Sequence, residues 1–492
     1  MRAATEGAPE VHTSAILRVS GILLMLFSVT MLTPLLIALI YEERTIPGFL
    51  LAFTATLGAG VLAWAPVARS RHELRNRDGF VITALFYLSL GLFGALPLWL
   101  QPGTWESYTD AAFESLSGLT TTGATVATGL DELPRSILFY RQELQWLGGM
   151  GIIVLAVAIL PMLGIGGMQL YRAEMPGPVK DSKLTPRITE TAKALWYIYL
   201  TLTIACGLAY WIAGMDAFDA LAHAFSTVAI GGFSTHDASL GHFDSPAIEG
   251  IAIVFMILCG INFGLHFVVW RRRSLLYYLR DVETVAYLVL LAVVSLVTVA
   301  VLVDSDTLAL SEAVRDGLFQ VVSVATTTGF TTTNFSTWPS LLPHLVIFAA
   351  FTGACAGSTG GGMKVVRVLL IVLQGAREVK RLIHPNAIIP VKLGRARVPD
   401  RVIDSVWGFF SAYVIAFLMM LVILLATGLD FTTAFSAVAA CLNNLGPGLG
   451  SVALHYGEIS DTAKWTLCVA MLLGRLEIFT LLVLVTPEFW RS

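Results

Sequence analysis

The sequence is poor in charge. Only 13% of its 492 residues are Asp, Glu, Lys or Arg, about half the ~25% that a soluble globular chain carries. That scarcity excludes a water-soluble enzyme, a solvated disordered chain and a fibrous protein. An excess of one sign is also lacking: 31 Lys and Arg stand against 34 Asp and Glu. No surplus is left to neutralise a phosphate backbone, so nucleic acid is not an expected partner. Cysteine is scarce as well. Cys206, Cys259, Cys355, Cys441 and Cys468 make none of the close pairs of a zinc site or a disulfide framework and read as small core residues.

What the chain has in quantity is apolar. Hydrophobic residues make up 56%, with mean hydropathy +0.76. Ten runs of membrane length lie near residues 16–41, 49–68, 80–100, 137–160, 194–212, 247–270, 282–303, 341–373, 403–427 and 465–485, each supplying the roughly 20 residues that a hydrocarbon core of ~30 Å demands. The first is too long for a signal peptide and has no A-x-A site, so it is expected to persist as a helix. Most basic residues fall in alternate loops, among them Arg69, Arg71, Arg75, Arg77, Arg172, Lys180, Lys183, Arg187, Arg271, Arg272 and Arg273. By the positive-inside rule both termini are then cytoplasmic. The opposite loops carry scattered acids such as Glu42, Glu43, Glu106, Asp131 and Asp237, either solvated charge or a mildly acidic vestibule for cations.

Internal repetition decides the architecture. Four segments between the runs are too short to cross a bilayer, and each ends in a turn rich in small or polar residues. The turns read Thr121-Thr122-Gly123-Ala124-Thr125, Ile230-Gly231-Gly232-Phe233-Ser234-Thr235, Thr327-Thr328-Gly329-Phe330-Thr331 and Asn443-Asn444-Leu445-Gly446-Pro447-Gly448. Gly123, Gly232, Gly329 and Gly446 are 109, 97 and 117 positions apart, room for two helices and a half-helix. The register extends inward, with Asp110, Asp219 and Asp316 thirteen residues before the first three glycines and Ser117, Ser226 and Ser323 six before. Non-helical backbone at membrane depth survives only inside protein or beside water, so four such turns should converge on a pore. There glycine permits a positive φ, carbonyl oxygens can replace a cation's hydration shell, and the negative end of each half-helix favours a cation. The three aspartates are expected as N-terminal caps or dipole partners.

These four motifs resemble the filter sequences of the Trk/Ktr/HKT potassium transporters, and the extra leading helix pair is most similar to the bacterial TrkH/TrkG branch. The resemblance spans nearly the whole chain. It implies an all-α integral membrane fold of four tandem M1-P-M2 repeats around a central pore, as in a potassium channel. Residues 1–78 would be the N-terminal two-helix unit, and 79–193, 194–280, 281–400 and 401–492 the four repeats. It further implies potassium uptake across the bacterial inner membrane, a homodimer, and control by TrkA-like cytoplasmic nucleotide-binding subunits. No bound cofactor and no catalytic group are expected; potassium is the substrate. The filter would comprise Thr121, Thr122, Gly123, Ile230, Gly231, Gly232, Thr327, Thr328, Gly329, Asn444, Leu445 and Gly446. In this family a serine in place of the first glycine accompanies sodium permeation, so four glycines favour potassium.

Two features are candidate gates. The run near 341–373 is interrupted by Gly353, Gly357, Gly360, Gly361, Gly362 and Lys364, too glycine-rich to stay helical. The resemblance implies an intramembrane loop that obstructs permeation until partner subunits move it. A G-x-x-x-x-G-K-[ST] nucleotide loop is rejected, because Met363 separates Gly362 from Lys364 and no strand precedes it. Arg475, near the middle of the last run, is costly at the bilayer centre and should face the interior. It is read as a fixed positive barrier below the filter, or as half of an ion pair with Glu114 or Glu477. Asn262 and His266, four apart, read as a satisfied core pair, and Glu114 and His223 as braces behind the filter. The alternative function is a potassium/proton or sodium-coupled symporter, which would need broken helices and a midplane acid.

Overall fold

The computed structural model describes residues 12–69, 76–101, 105, 107–151, 188–394, 396–476 and 478–490. The second half of the run near 137–160, the basic segment with Arg172, Lys180, Lys183 and Arg187, and the acids Glu106 and Glu477 lie outside the described residues. Among those described, the only β structure is a two-residue hairpin pairing Lys392 with Arg397. Everything else regular is helical.

Among the described residues six helical stretches are long and apolar enough to cross a membrane: Thr13–Ile40, Ile46–Val67, Arg77–Trp99, Lys193–Ile212, Val282–Asp304 and Asp400–Ala426. Their outer faces remain apolar: Val289, Val293 and Leu296 of one, and Leu418, Met419 and Val422 of another, are each more than half exposed. Such faces suit lipid, which leaves association to close packing of small residues. The leading pair shows it: a Cβ on Gly21 would fall within 3.0 Å of the Gly60 carbonyl, and one on Gly60 within 3.0 Å of the Gly21 carbonyl.

Two further spans are broken. Pro246–Cys259 and Phe263–Arg272 meet at 95°, and Asp461–Arg475 and Ile478–Val485 at 114°, where the sequence reading has unbroken spans at 247–270 and 465–485. In the first, Gly260 faces the Tyr287 hydroxyl with no space for a Cβ, and Asn262 starts a new helix by accepting a hydrogen bond from the Gly264 amide at 2.7 Å. Continuous hydrophobicity concealed both bends. The interruption of the run near 341–373 is found as expected, between Leu341–Thr352 and Val365–Ile383.

Four short helices, Tyr108–Leu119, Ala217–Ala229, Leu310–Ala325 and Phe431–Asn443, lie between the longer ones. They are largely buried; from Ala111 to Leu119 every residue of the first is. Of the two roles expected for the three aspartates, Asp110 and Asp219 take that of acids in the first helical turn and not that of caps. Ser107, Asp216 and Asp430 accept from the amides of Asp110, Asp219 and Thr433, so Asp110 and Asp219 sit one turn inside the helix. Asp316 caps nothing, because its helix begins earlier, after Ala309. The third segment has a longer helix and hence an earlier start.

Candidate functional site

Each short helix ends in the same backbone. Thr121, Ile230, Thr327 and Asn444 have φ of 54°, 55°, 69° and 54°, and two residues later Gly123, Gly232, Gly329 and Gly446 have 79°, 80°, 87° and 97°. The residue between each pair bonds back into its helix: the Thr122 amide donates to Ser117 O at 2.8 Å, Gly231 to Ser226 O at 2.9 Å, Thr328 to Ser323 O at 2.8 Å and Leu445 to Ala440 O at 2.8 Å. Left-handed backbone is costly for a β-branched residue such as Ile230. Its repetition at four equivalent positions marks a constrained shape.

The four turns meet. A Cβ added to Gly123 would come within 3.0 Å of the Gly231 carbonyl oxygen, one on Gly232 would meet that of Thr328, one on Gly329 that of Leu445, and one on Gly446 that of Thr122. Each glycine thus abuts the residue preceding the glycine of the next turn, and the fourth returns to the first. All twelve residues of the expected ion-binding set lie in this closed ring. Within it the four helix C-termini direct their partial negative charge to one place.

Side chains hold the ring from behind: Gln145, Tyr456 and Arg141, which the sequence reading did not select, beside Glu114 and His223, which it did. Gln145 donates to Gly231 O at 2.7 Å and accepts from Phe233 N at 3.1 Å. Tyr456 donates to Gly446 O at 2.7 Å. Arg141, almost wholly buried, pairs with Glu114 at 2.7 Å and donates to Ser234 O at 3.0 Å, while the Glu114 carboxylate accepts from Val126 N at 2.9 Å. Glu114 is therefore Arg141's partner and does not pair with Arg475. A buried pair of this kind is tolerated when its remaining hydrogen-bonding positions are satisfied. His223 braces Ser234 through a 2.9 Å hydrogen bond. The cluster Arg141, Gln142, Glu143 and Gln145 inside an apolar run was the available signal. His266 bonds to the Tyr278 hydroxyl and Leu258 O at 2.6 and 2.9 Å, a satisfied core residue.

The glycine-rich loop lies against the helix ends. Thr359 donates to Val228 O at 3.0 Å, Gly361 N to the Thr327 hydroxyl at 2.7 Å and Gly362 N to Asn443 O at 3.0 Å. A Cβ on Gly361 would collide with Asn443 O. The bend in the second unit holds the loop too, since Phe263 N donates to Gly357 O and Cys355 N to Gly260 O, both at 2.9 Å. Lys364 folds back onto the Gly360 carbonyl.

Arg475 completes this floor. Its guanidinium donates to the Thr121 hydroxyl at 3.2 Å and Thr359 O at 3.1 Å, and to the carbonyls of Gly148 and Gly149. These two belong to a π-helical turn, Leu147–Gly151, a geometry that frees carbonyls. Among the described residues no carboxylate pairs with Arg475. It links the first turn, the loop and the π-helical turn that follows helix Arg135–Trp146.

A bundle of lipid-facing helices enclosing a ring of helix C-termini defines a multi-pass membrane protein of the cation-transport class. The chain belongs to the TrkH family, described as cation transport protein, which matches residues 45–492. It is 60% identical over 480 residues to "Trk system potassium uptake protein TrkH" of Halomonas elongata, covering 97% of this chain and 99% of that one. With the same-named protein of Escherichia coli it shares 54% identity, over 98% of this chain and 100% of the other. The crystal structure of the potassium transporter TrkH from Vibrio parahaemolyticus is similar at TM-score 0.88 and 56% identity, covering 97% and 99% of the two chains. The family is one of transporters, not enzymes.

Proposed function

We propose that this protein takes up potassium across the bacterial inner membrane through a channel-like pore whose selectivity filter is the ring of four turns. One observation carries the reading: four stretches with the same alternating left-handed backbone close on one another through glycines that have no space for a side chain. Such backbone offers carbonyl oxygens to a dehydrated monovalent cation, and the convergent helix ends repel anions. The four repeats occupy 79–193, 194–280, 281–400 and 401–492 behind the leading unit. The glycine-rich loop and Arg475 form the gate, because together they tie the first, third and fourth turns and the helix that leads into the second. Both termini are cytoplasmic, the chain acts as a homodimer, and TrkA-like nucleotide-binding subunits move the loop from the cytoplasmic side.

The test is the reversal potential of proteoliposomes holding opposed potassium and proton gradients. A potential that follows potassium alone is expected. One that shifts with the proton gradient would instead indicate the coupled symporter. Uptake of radioactive rubidium by a strain deficient in potassium uptake, with and without a regulatory partner, tests the control.

A further inference from the structure

Beyond the ring, on the side opposite the floor, the loops following the first and second turns meet. Asp131 from the first and His236 from the second form an ion pair, and His242 lies face to face with His236, their ring centroids 3.5 Å apart and planes 2° from parallel. One ligand-capable atom from each of the three residues lies within 4.8 Å of the others. We propose that Asp131, His236 and His242 form a binding site for a divalent transition cation of the zinc class, and that the bound ion slows cation entry at the outer mouth. The mouth's location rests on the pore reading above. The metal site itself does not.

Three arguments support it. Two imidazoles and a carboxylate are the donor set zinc favours, with solvent completing the tetrahedron. His242 is exposed, and among the described residues neither of its ring nitrogens has a hydrogen-bond partner, so the ring can turn a nitrogen toward the ion. The other nitrogen of His236, Nε2, is bonded to the Asp219 carboxylate at 3.2 Å, and Asp219 in turn accepts from the Thr235 hydroxyl at 2.7 Å. A carboxylate behind a ligating histidine fixes its tautomer and raises its basicity, as in built metal sites. The ion would displace the proton shared by His236 and Asp131. It would also add positive charge at the rim and clamp the first loop to the second, opposing approach of a cation.

The test is equilibrium zinc binding to the purified full chain, wild type beside His242→Gln and Asp131→Asn. One zinc per chain, bound about tenfold or more weakly by each variant, is the expected result. Binding equal in wild type and both variants would overturn the site, as would displacement by equimolar magnesium, an ion that prefers oxygen ligands. Both variants should take up rubidium normally without zinc, which shows that they fold. External zinc should then slow uptake by the wild type and spare His242→Gln. Zinc that binds with the expected dependence yet leaves uptake unchanged would overturn the placement at the mouth while sustaining the metal site.

Discussion

The turns of the first and third units differ from those of the second and fourth in what supports them. In the first and third, threonines two apart bond to each other, Thr120 to Thr122 at 2.8 Å and Thr326 to Thr328 at 2.7 Å. The second and fourth have no such pair and are held by side chains from elsewhere. Gln145 reaches Gly231 and Phe233, Tyr456 reaches Gly446, and Asn444 itself donates to the Thr122 hydroxyl and Met471 O, both at 3.0 Å. Backbone shape is the quantity repeated four times. The means of enforcing it is interchangeable.

Experiments can break or sharpen that contrast. The largest effect is expected from Gly329→Ala, which sets a Cβ against the Leu445 carbonyl at φ 87°. Left-handed strain alone costs roughly 1–2 kcal/mol, so selective rubidium uptake should fall by about tenfold or more, and wild-type uptake would remove Gly329 from the ion path. Gly123→Ser should admit sodium for the same reason.

Next comes Arg475→Ala, expected to raise basal uptake several-fold without regulatory partners while lowering Tm, since orphaned buried acceptors cost about 1–3 kcal/mol each. Arg475→Lys keeps the charge and should keep the barrier. If the alanine variant is as closed as wild type, Arg475 only staples the floor.

Smaller effects separate the two kinds of support. Gln145→Ala strands Gly231 O and Phe233 N and should cost about 1–3 kcal/mol of stability with a measurable loss of potassium over sodium preference. Thr326→Val removes one hydroxyl link and should cost about 1 kcal/mol. Equal losses would mean that the contrast is only apparent.

The smallest is a pH effect on the outer loops. Burial disfavours charged His236, but bonds to Asp219 and Asp131 outweigh it and raise its pKa above 6.5. Burial also works to raise Asp131, yet the His236 bond and charge hold it below 3.8. The histidine's contribution is therefore complete below its unfolded pKa and lost as pH rises through its folded value. The carboxylate's is complete above its unfolded pKa and lost as pH falls through its folded one. Amide protection factors near Leu130 and Asp237, corrected for the intrinsic pH dependence of exchange, should be highest between about pH 4 and 6.5, and a profile without a maximum would deny the link a role.

The leading pair, the short helices and the glycine register were legible because spacing and composition encode them. The bend at Gly260 was not, because a 95° break needs only one glycine and one capping asparagine in an otherwise continuous apolar run. Nor could spacing reveal that Ile230 takes a left-handed shape, which its own side chain disfavours and its neighbours enforce. Ser107 and Asp216, the real caps of the first two short helices, lie three residues before the aspartates that periodicity suggested, because a residue on the first turn and the cap preceding it look alike in a one-dimensional pattern.

Because the circumference is assembled from one polypeptide, a single codon change touches one quadrant only. A tetramer of identical subunits would multiply any lesion by four, whereas in the pore proposed above ion preference would be adjusted in quarter steps while three walls stay intact.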